Sequence, residues 1–235
     1  MKIALLGYGK MGKEIESIAI KRNHTIVSKV DKNFIEGEIN SADIAINFSD
    51  PFAAVSNISM ALNLNIPVVS GTTGWLKNYS IIESLSKKNN VGFLYSSNFS
   101  IGVNIFFELN KSLTKLMKGH ENYSVELNEE HHNKKVDSPS GTAISLANDI
   151  ILNSRYEKWS LNSDEKDSLR IKSVRNGNTI GIHDVYFKSS LDQIKISHES
   201  FSRSSYAIGA LIASEWLIGK KGIYTMTDVL NSTKE

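Results

Sequence analysis

The chain contains no cysteine, which removes disulfides, thiolate metal sites and cysteine nucleophiles together and fits a reducing compartment. It also lacks a strong charge of either sign: 27 basic and 25 acidic side chains leave a formal net charge of +2 at neutral pH. Lysines and arginines are scattered rather than striped, and a chain that lives on phosphate backbones carries a larger, clustered positive charge, so nucleic acid is not an expected partner. Long apolar runs are missing as well. The opening MKIALLGYG has only four consecutive apolar residues, Ile3 to Leu6, before Gly7, too few for a signal segment or a membrane span. No membrane partner is therefore expected, and the cytoplasm is the expected location. Repeats and low-complexity segments are absent too. What is present is an ordinary globular balance, 235 residues with 40% hydrophobic and 22% charged side chains, enough for one large domain or two small ones.

Through the first hundred residues, short apolar runs alternate with segments of helical spacing. Lys2 to Leu6 reads as a strand that stops at a glycine turn, and Met11 to Ile20 as a helix with Ile15, Ile18 and Ala19 on one side. Strands follow at Thr25 to Val30, Ala42 to Phe48, Ile66 to Ser70 and Val91 to Tyr95, with helices at Pro51 to Leu62 and Ser80 to Lys88. Pro51 suits a first helical turn, where its missing N–H costs nothing. Such alternation predicts parallel pairing and a sheet covered on both faces, a doubly wound α/β arrangement. After a helix over Val103 to Met117 the rhythm changes. Tyr123 to Leu127 reads as a strand and Ser140 to Leu152 as a helix. Leu169 to Val174, Ile180 to Phe187 and Gln193 to His198 then read as strands with no helix between them, separated by turn signals at Asn176-Gly177-Asn178 and Leu191-Asp192. Strands joined by short turns are expected to pair antiparallel, giving a second, α+β domain on an open mixed or antiparallel sheet. Asn153 to Asp167 is a polar loop candidate. Tyr206 to Ile218 is helical again, and its apolar face is expected to return to the first domain.

Gly7-Tyr8-Gly9-Lys10-Met11-Gly12 is a GxGxxG fingerprint placed after a strand and at the opening of a helix. Its glycines allow a tight turn and close approach of backbone to a pyrophosphate, which then sits on the positive helix N-terminus. Asp31, 19 residues beyond Gly12, ends the second strand, where a carboxylate accepts hydrogen bonds from an adenosine ribose. A turn whose glycines merely relieve strain is the plain alternative; strand, helix and acid standing together argue against it. The first domain is thus of Rossmann type. Asp31 opposes the extra phosphate of NADPH whereas Lys10 and Lys32 attract it, so NADH or NADPH is expected, with Asp31 favouring NADH. Gly71-Thr72-Thr73-Gly74 and Ser96-Ser97-Asn98-Phe99 also follow strands of the parallel sheet and offer backbone and hydroxyl groups to a nicotinamide. Each alone is an ordinary polar turn, and their shared location gives them weight.

The stretch from Glu126 to Ala143 gathers two imidazoles, two ammonium groups and a helix start. Ser140-Gly141-Thr142 leads into the helix, so its N–H groups and hydroxyls form a site for a carboxylate. His131 or His132 is placed to donate a proton near neutral pH, and Lys135 to pair with a substrate carboxylate or polarise the reacting group. The bland readings are a solvated loop for Lys134 and Lys135 and a simple helix cap for Ser140. A metal site is disfavoured, because adjacent histidines on an extended chain point to opposite sides, and none is expected.

These residues resemble the 4-hydroxy-tetrahydrodipicolinate reductase, or dihydrodipicolinate reductase, family of bacterial lysine and diaminopimelate synthesis. Its signature E-[IV]-x-E-x-H-x3-K-x-D-x-P-S-G-T-A is met by Glu126, Glu129, His131, Lys135, Asp137 and Pro139 to Ala143, with Leu127 as the one departure. The likeness extends to the glycine fingerprint, Gly71 to Gly74, Asn98 to Asn104, His198 with Arg203, Gly209-Ala210, Gly222 and Asp228 to Leu230. The chain is shorter than many members, most plainly between Asp31 and Asp43.

The resemblance implies that His131 is the proton donor and Lys135 its catalytic partner, while His132, Gly141 and Thr142 bind a small dicarboxylate, to which the helix start read above adds Ser140. It places cofactor contacts on Gly7 to Gly12, Asp31, Lys32, Gly71 to Thr73 and Ser96 to Phe99. It also implies a homotetramer formed through the second domain. The expected boundaries are 1–103, joined by 206–235, for the dinucleotide domain and 104–205 for the substrate and oligomerisation domain. Two rivals stand beside this reading: another two-domain NAD(P)-dependent dehydrogenase of a small anion, and a non-catalytic NAD sensor. The sensor has no need for His131, Lys135 and the Ser-Gly-Thr helix start together. The role of Arg203, substrate binding or pairing with a carboxylate, stays open at this stage, and Asp50 has no assignment.

Overall fold

In the first strand, β1 (Lys2–Leu6), Ile3 and Leu5 face one way, Ala4 and Leu6 the other, and all four are fully buried. A strand apolar on both faces needs a layer of helices on each side. The computed structural model describes residues 1–161 and 165–232. In chain order β1 is followed by α1 (Lys10–Lys21), β2 (Thr25–Asp31), β3 (Phe34–Gly37), β4 (Ile44–Asn47), α2 (Pro51–Asn63), β5 (Val68–Ser70), α3 (Tyr79–Asn89) and β6 (Gly92–Tyr95). Next come α4 (Ile101–Met117), β7 (Ser124–His131), α5 (Gly141–Ile151), β8 (Lys158–Ser160), β9 (Ser168–Arg175), β10 (Gly181–Lys188) and β11 (Gln193–Ser200). The chain closes with α6 (Ser204–Leu217), β12 (Gly222–Tyr224) and α7 (Met226–Asn231). Two compact units result, one from Met1–Ile101 with the described part of Ser204–Glu235, the other from Gly102–Arg203.

The first unit holds a seven-stranded sheet in the order β12-β6-β5-β4-β1-β2-β3, parallel except where β3 pairs antiparallel with β2. Ile3, Leu5, Ile44, Ile46, Val69 and Leu94 pack under α1, α6 and α7, while Ala4, Leu6, Ala45, Val68 and Phe93 pack under α2 and α3. Strand order reverses between β1 and β4, so the loops after these two strands lie side by side at the carboxyl edge. Ligands of open α/β sheets bind at such a point. Sequence periodicity did not reveal β3, whose four residues are all exposed, or the short β12 and α7 beyond the last expected helix.

The second unit is a five-stranded sheet, β11-β10-β7-β9-β8. Val125, Leu127, Leu169, Ile171, Val185 and Phe187 face Phe106 of α4 and Ala143, Leu146, Ala147 and Ile150 of α5. The structure corrects the sequence reading in three places. The expected hairpin between β9 and β10 does not form: β7 lies between them, parallel to β9 and antiparallel to β10. Its turn is instead held to the end of β7, where Asn176 N–H donates to the His131 carbonyl (2.7 Å) and Asn133 N–H to that of Gly177 (3.2 Å). Secondly, β7 does not stop at Leu127 but runs to His131, because Glu129 and His131 continue the buried side of its alternation. Thirdly, the loop candidate Asn153 to Asp167 contains β8, parallel to β9; its residues 162–164 lie outside the described residues. Among the described residues no helix is long and apolar enough to cross a membrane.

Candidate active site

In the first unit the fingerprint glycines have separate physical reasons. Gly7 has φ +101°, and a Cβ there would lie 2.3 Å from the Phe48 carbonyl oxygen. At Gly12 a Cβ would lie 2.4 Å from the Gly7 carbonyl oxygen, so helix and turn meet only over glycine. A Cβ at Gly9 would meet nothing within 4 Å; the space it would fill is open to a ligand. Helix α1 starts at Gly9 with no side-chain cap and no acid in its first turn, leaving its N–H groups for an outside anion such as a pyrophosphate. The Asp31 carboxylate accepts from Tyr8 N–H at 3.2 Å and Lys32 N–H at 2.8 Å, which ties the end of β2 to the glycine turn.

Two cavities adjoin this turn. One, about 460 Å³, is lined by Gly9, Lys10, Met11, Gly71, Thr72 and Thr73 together with Phe48, Ser49 and Pro51. The other, about 420 Å³, is lined by Gly7, Asp31 and Lys32 together with Ser49, Asp50 and Phe52. The segment from Phe48 to Phe52 was missed as site material, although it follows a parallel strand as the other loops do. Several expected cofactor residues are turned to structural tasks. The Thr72 hydroxyl is buried and accepts from Ser49 N–H (2.9 Å) and the Asn47 amide (3.2 Å), and its carbonyl accepts from Trp75 Nε1 (2.8 Å). Tyr8 points its hydroxyl to Glu16, with Lys29 4.8 Å over its ring. Phe99 is 1% exposed and its ring packs against Phe48. Ser96 and Asn98 shape their own loop, the Ser96 hydroxyl donating to the Asn98 carbonyl at 2.6 Å. Ser97 is exposed beside them.

In the second unit strand register builds the site. Glu129 of β7 lies opposite His183 of β10 and Ser173 of β9, and His131 lies opposite Arg175. All alternate onto the helix-covered face. Glu129, 1% exposed, accepts from His131 Nδ1 and from the Ser173 hydroxyl, and from Arg175 Nη1 at 2.9 Å. Burial alone would raise the Glu129 carboxyl; the bonds from His131, Ser173 and Arg175 outweigh it and hold the group down at about 2. Since Nδ1 of His131 serves this carboxylate, Nε2 is the ring nitrogen that the pair leaves for another partner. Gly181 makes room for it, because a Cβ there would lie 3.0 Å from that Nε2. His183 stands edge-on to His131 with ring centroids 5.1 Å apart. Burial, reinforced by His131, pushes His183 down to about 3, so it is neutral, and its Nε2 bonds the Ser140 hydroxyl at 2.9 Å.

Ser140 also accepts from Ala143 N–H at 3.2 Å, capping α5 and orienting its first turn; Gly141 is exposed there, with nothing within 4 Å of where a Cβ would stand. Thr142 is the second residue of that turn. His132 leaves the strand in another direction, where its Nε2 accepts from Arg203 Nη2 at 3.1 Å. That bond gives Arg203 an imidazole partner rather than a carboxylate. The buried Nδ1 of His132 has no partner, a donor left for a ligand. Lys135 pairs with Asp137 at 2.8 Å, so engaging a substrate means exchanging that partner. Glu129, His131 and His183 bring ligand-type atoms within 4.8 Å of one another, yet the Arg175 guanidinium already neutralises the carboxylate. The cluster is therefore a hydrogen-bonded network that ties the His131 ring to Glu129 and Arg175. Sequence reasoning missed His183, Ser173 and Arg175 and gave Glu129 no role. The available signal was a carboxylate on the buried side of a strand's alternation.

Comparison with known proteins bears on both units. The family described as dihydrodipicolinate reductase, N-terminus, matches residues 1–99, and that described as dihydrodipicolinate reductase, C-terminus, matches residues 102–230. The chain is 48% identical over 234 residues to the 4-hydroxy-tetrahydrodipicolinate reductase of Christiangramia forsetii, covering 98% of each chain. It is 36% identical over 253 residues to that of Clostridium novyi, again covering 98% of each. Its fold matches the dipicolinate-bound dihydrodipicolinate reductase of Paenisporosarcina sp. TG-14 with a TM-score of 0.78 at 23% identity, over 97% of this chain and 98% of that one. The chain therefore belongs to the dihydrodipicolinate reductase family and is an NAD(P)H-dependent oxidoreductase.

Proposed function

We propose that this chain reduces 4-hydroxy-tetrahydrodipicolinate to tetrahydrodipicolinate with NADH or NADPH, a step of diaminopimelate and lysine biosynthesis. The observation that carries the reading is the buried relay Arg175–Glu129–His131, which ends at an imidazole nitrogen in the stretch shared with the family. Nicotinamide, when bound, would supply a hydride for ring carbon C4, and the 4-hydroxyl leaves as water on taking the proton that His131 gives. Gly7 to Gly12 hold the pyrophosphate, and Asp31 and Lys32 take the adenosine side. Backbone of Gly71 to Thr73 and of Ser96 to Phe99 flanks the nicotinamide. The first turn of α5, at Ser140, Gly141 and Thr142, takes one substrate carboxylate. His132 donates to the substrate, and Lys135 moves from Asp137 to it. His131 delivers the proton from Nε2 while Glu129 holds its ring and balances its charge; a group so placed contributes roughly a hundredfold to ten-thousandfold. The acid at Asp31 favours NADH over NADPH. The same reading includes a homotetramer and a cytoplasmic location, supported by family membership and the absence of cysteine.

The test is a coupled assay in which the preceding synthase makes the unstable substrate from pyruvate and aspartate semialdehyde, with NADH and NADPH followed in parallel. Consumption that needs both the synthase and this chain is the expected result. A protein that binds NADH but consumes neither nucleotide would point instead to another dehydrogenase or to a sensor.

A further inference from the structure

Phe52 is 97% exposed, and its place in the fold gives that exposure a use. It is the second residue of α2, and its N–H is held by the Asp50 carboxylate at 2.9 Å. The first turn is thereby fixed and sets the ring at the rim of the 420 Å³ cavity. That cavity has Val30, Asp31 and Lys32 from the end of β2 on one side, and Phe52, Ala53 and Asn57 from α2 on the other. If the pyrophosphate lies on the N-terminus of α1 and the adenosine ribose on Asp31, the next group outward is the base. A purine offers two flat π-faces with little charge, and an aromatic ring matches them with no demand on sequence or protonation. Among the described residues lining the cavity, Phe52 is the one aromatic.

We infer that Phe52 is the adenine platform of the dinucleotide site: its ring stacks on the base and closes the adenosine end of the groove. The inference rests on the reading that the first unit binds NADH or NADPH. The platform acts on the adenylate half of the cofactor and not on the nicotinamide half. Its removal therefore separates ligands that carry adenine from those that do not.

The experiment measures dissociation constants of NADH, AMP and reduced nicotinamide mononucleotide, which lacks the adenylate, for the full chain and for Phe52→Ala and Phe52→Tyr. In Phe52→Ala, NADH and AMP are expected to weaken on the order of tenfold, the scale of one lost aromatic–base stack, with the mononucleotide unchanged. Phe52→Tyr restores both. NADH affinity in Phe52→Ala within twofold of the parent would overturn the platform while leaving the dinucleotide reading intact. An equal loss for all three ligands would also overturn it, marking Phe52 as part of the helix's own stability. If the parent chain itself fails to bind NADH, the dinucleotide reading falls and the platform with it.

Discussion

A carboxylate buried at 1% exposure beneath a histidine bears on the acid stability of the second unit and on its proposed chemistry. In His131→Ala the proposed proton donor is lost while the first unit is untouched; kcat is expected to fall by roughly 10²- to 10⁴-fold, with NADH affinity, measured by fluorescence titration, unchanged. A full rate in that variant would remove His131 from the mechanism. Glu129 and His183 both have values lowered by the fold, so the native state binds fewer protons than the unfolded chain, and stability is complete at high pH and lost as pH falls. The windows differ. For His183 the loss begins as pH drops below its ordinary 6.5 and continues to about 3, whereas for Glu129 it begins below 4.5 and continues to about 2. Each contributes a slope of up to about 1.4 kcal/mol per pH unit. Urea denaturation of His183→Gln is therefore expected to lose the slope between about pH 6.5 and 4.5 and to keep below it only the part that Glu129 supplies. An unchanged slope in the upper window would mean that His183 is not held neutral by the fold.

At the scale of elements, the turn between β1 and α1 distinguishes glycines needed by the fold from one needed by the ligand. A methyl at Gly12 meets the Gly7 carbonyl at 2.4 Å, while one at Gly9 meets nothing. Gly12→Ala is thus expected to lower Tm by several degrees, and Gly9→Ala to leave Tm within about a degree yet weaken NADH on the order of tenfold. Equal NADH affinity in Gly9→Ala would mean that nothing approaches the turn so closely. The same distinction explains what was legible in the sequence. Runs such as Ile3 to Leu6, apolar on both faces, announced a covered parallel sheet, and the glycine turn was recognisable because fold and ligand, at different positions, both call for glycine. β3 was hidden because its exposed residues carry no burial pattern. The hairpin between β9 and β10 was misread because a short turn fixes chain direction but not pairing; Asn176 and Gly177 bond to β7 instead. His131 was legible from its neighbours in sequence. Glu129, Ser173, Arg175 and His183 come together only through strand register across β7, β9 and β10, which local pattern does not contain.

At the scale of the whole molecule, α4 and α5 cover one side of the second sheet. Its other side is polar, with Lys188 3.3 Å from Glu126 and Lys195 3.1 Å from Asp184, and with both lysines over the ring of Tyr186 at 4.5 and 5.2 Å. A face of alternating charge around one aromatic suits a self-complementary contact better than contact with lipid or a purely apolar partner. The proposed homotetramer is therefore expected to use it. Sedimentation equilibrium should give about four times the 26.1 kDa chain mass, with smaller species gaining as salt screens the charged face. Tyr186→Asp, placed on this side and away from the buried relay, is expected to shift the distribution toward smaller species while far-UV circular dichroism stays unchanged. A chain that sediments at 26.1 kDa and is fully active would separate assembly from catalysis. A tetramer indifferent to both salt and Tyr186→Asp would move the contact to another face.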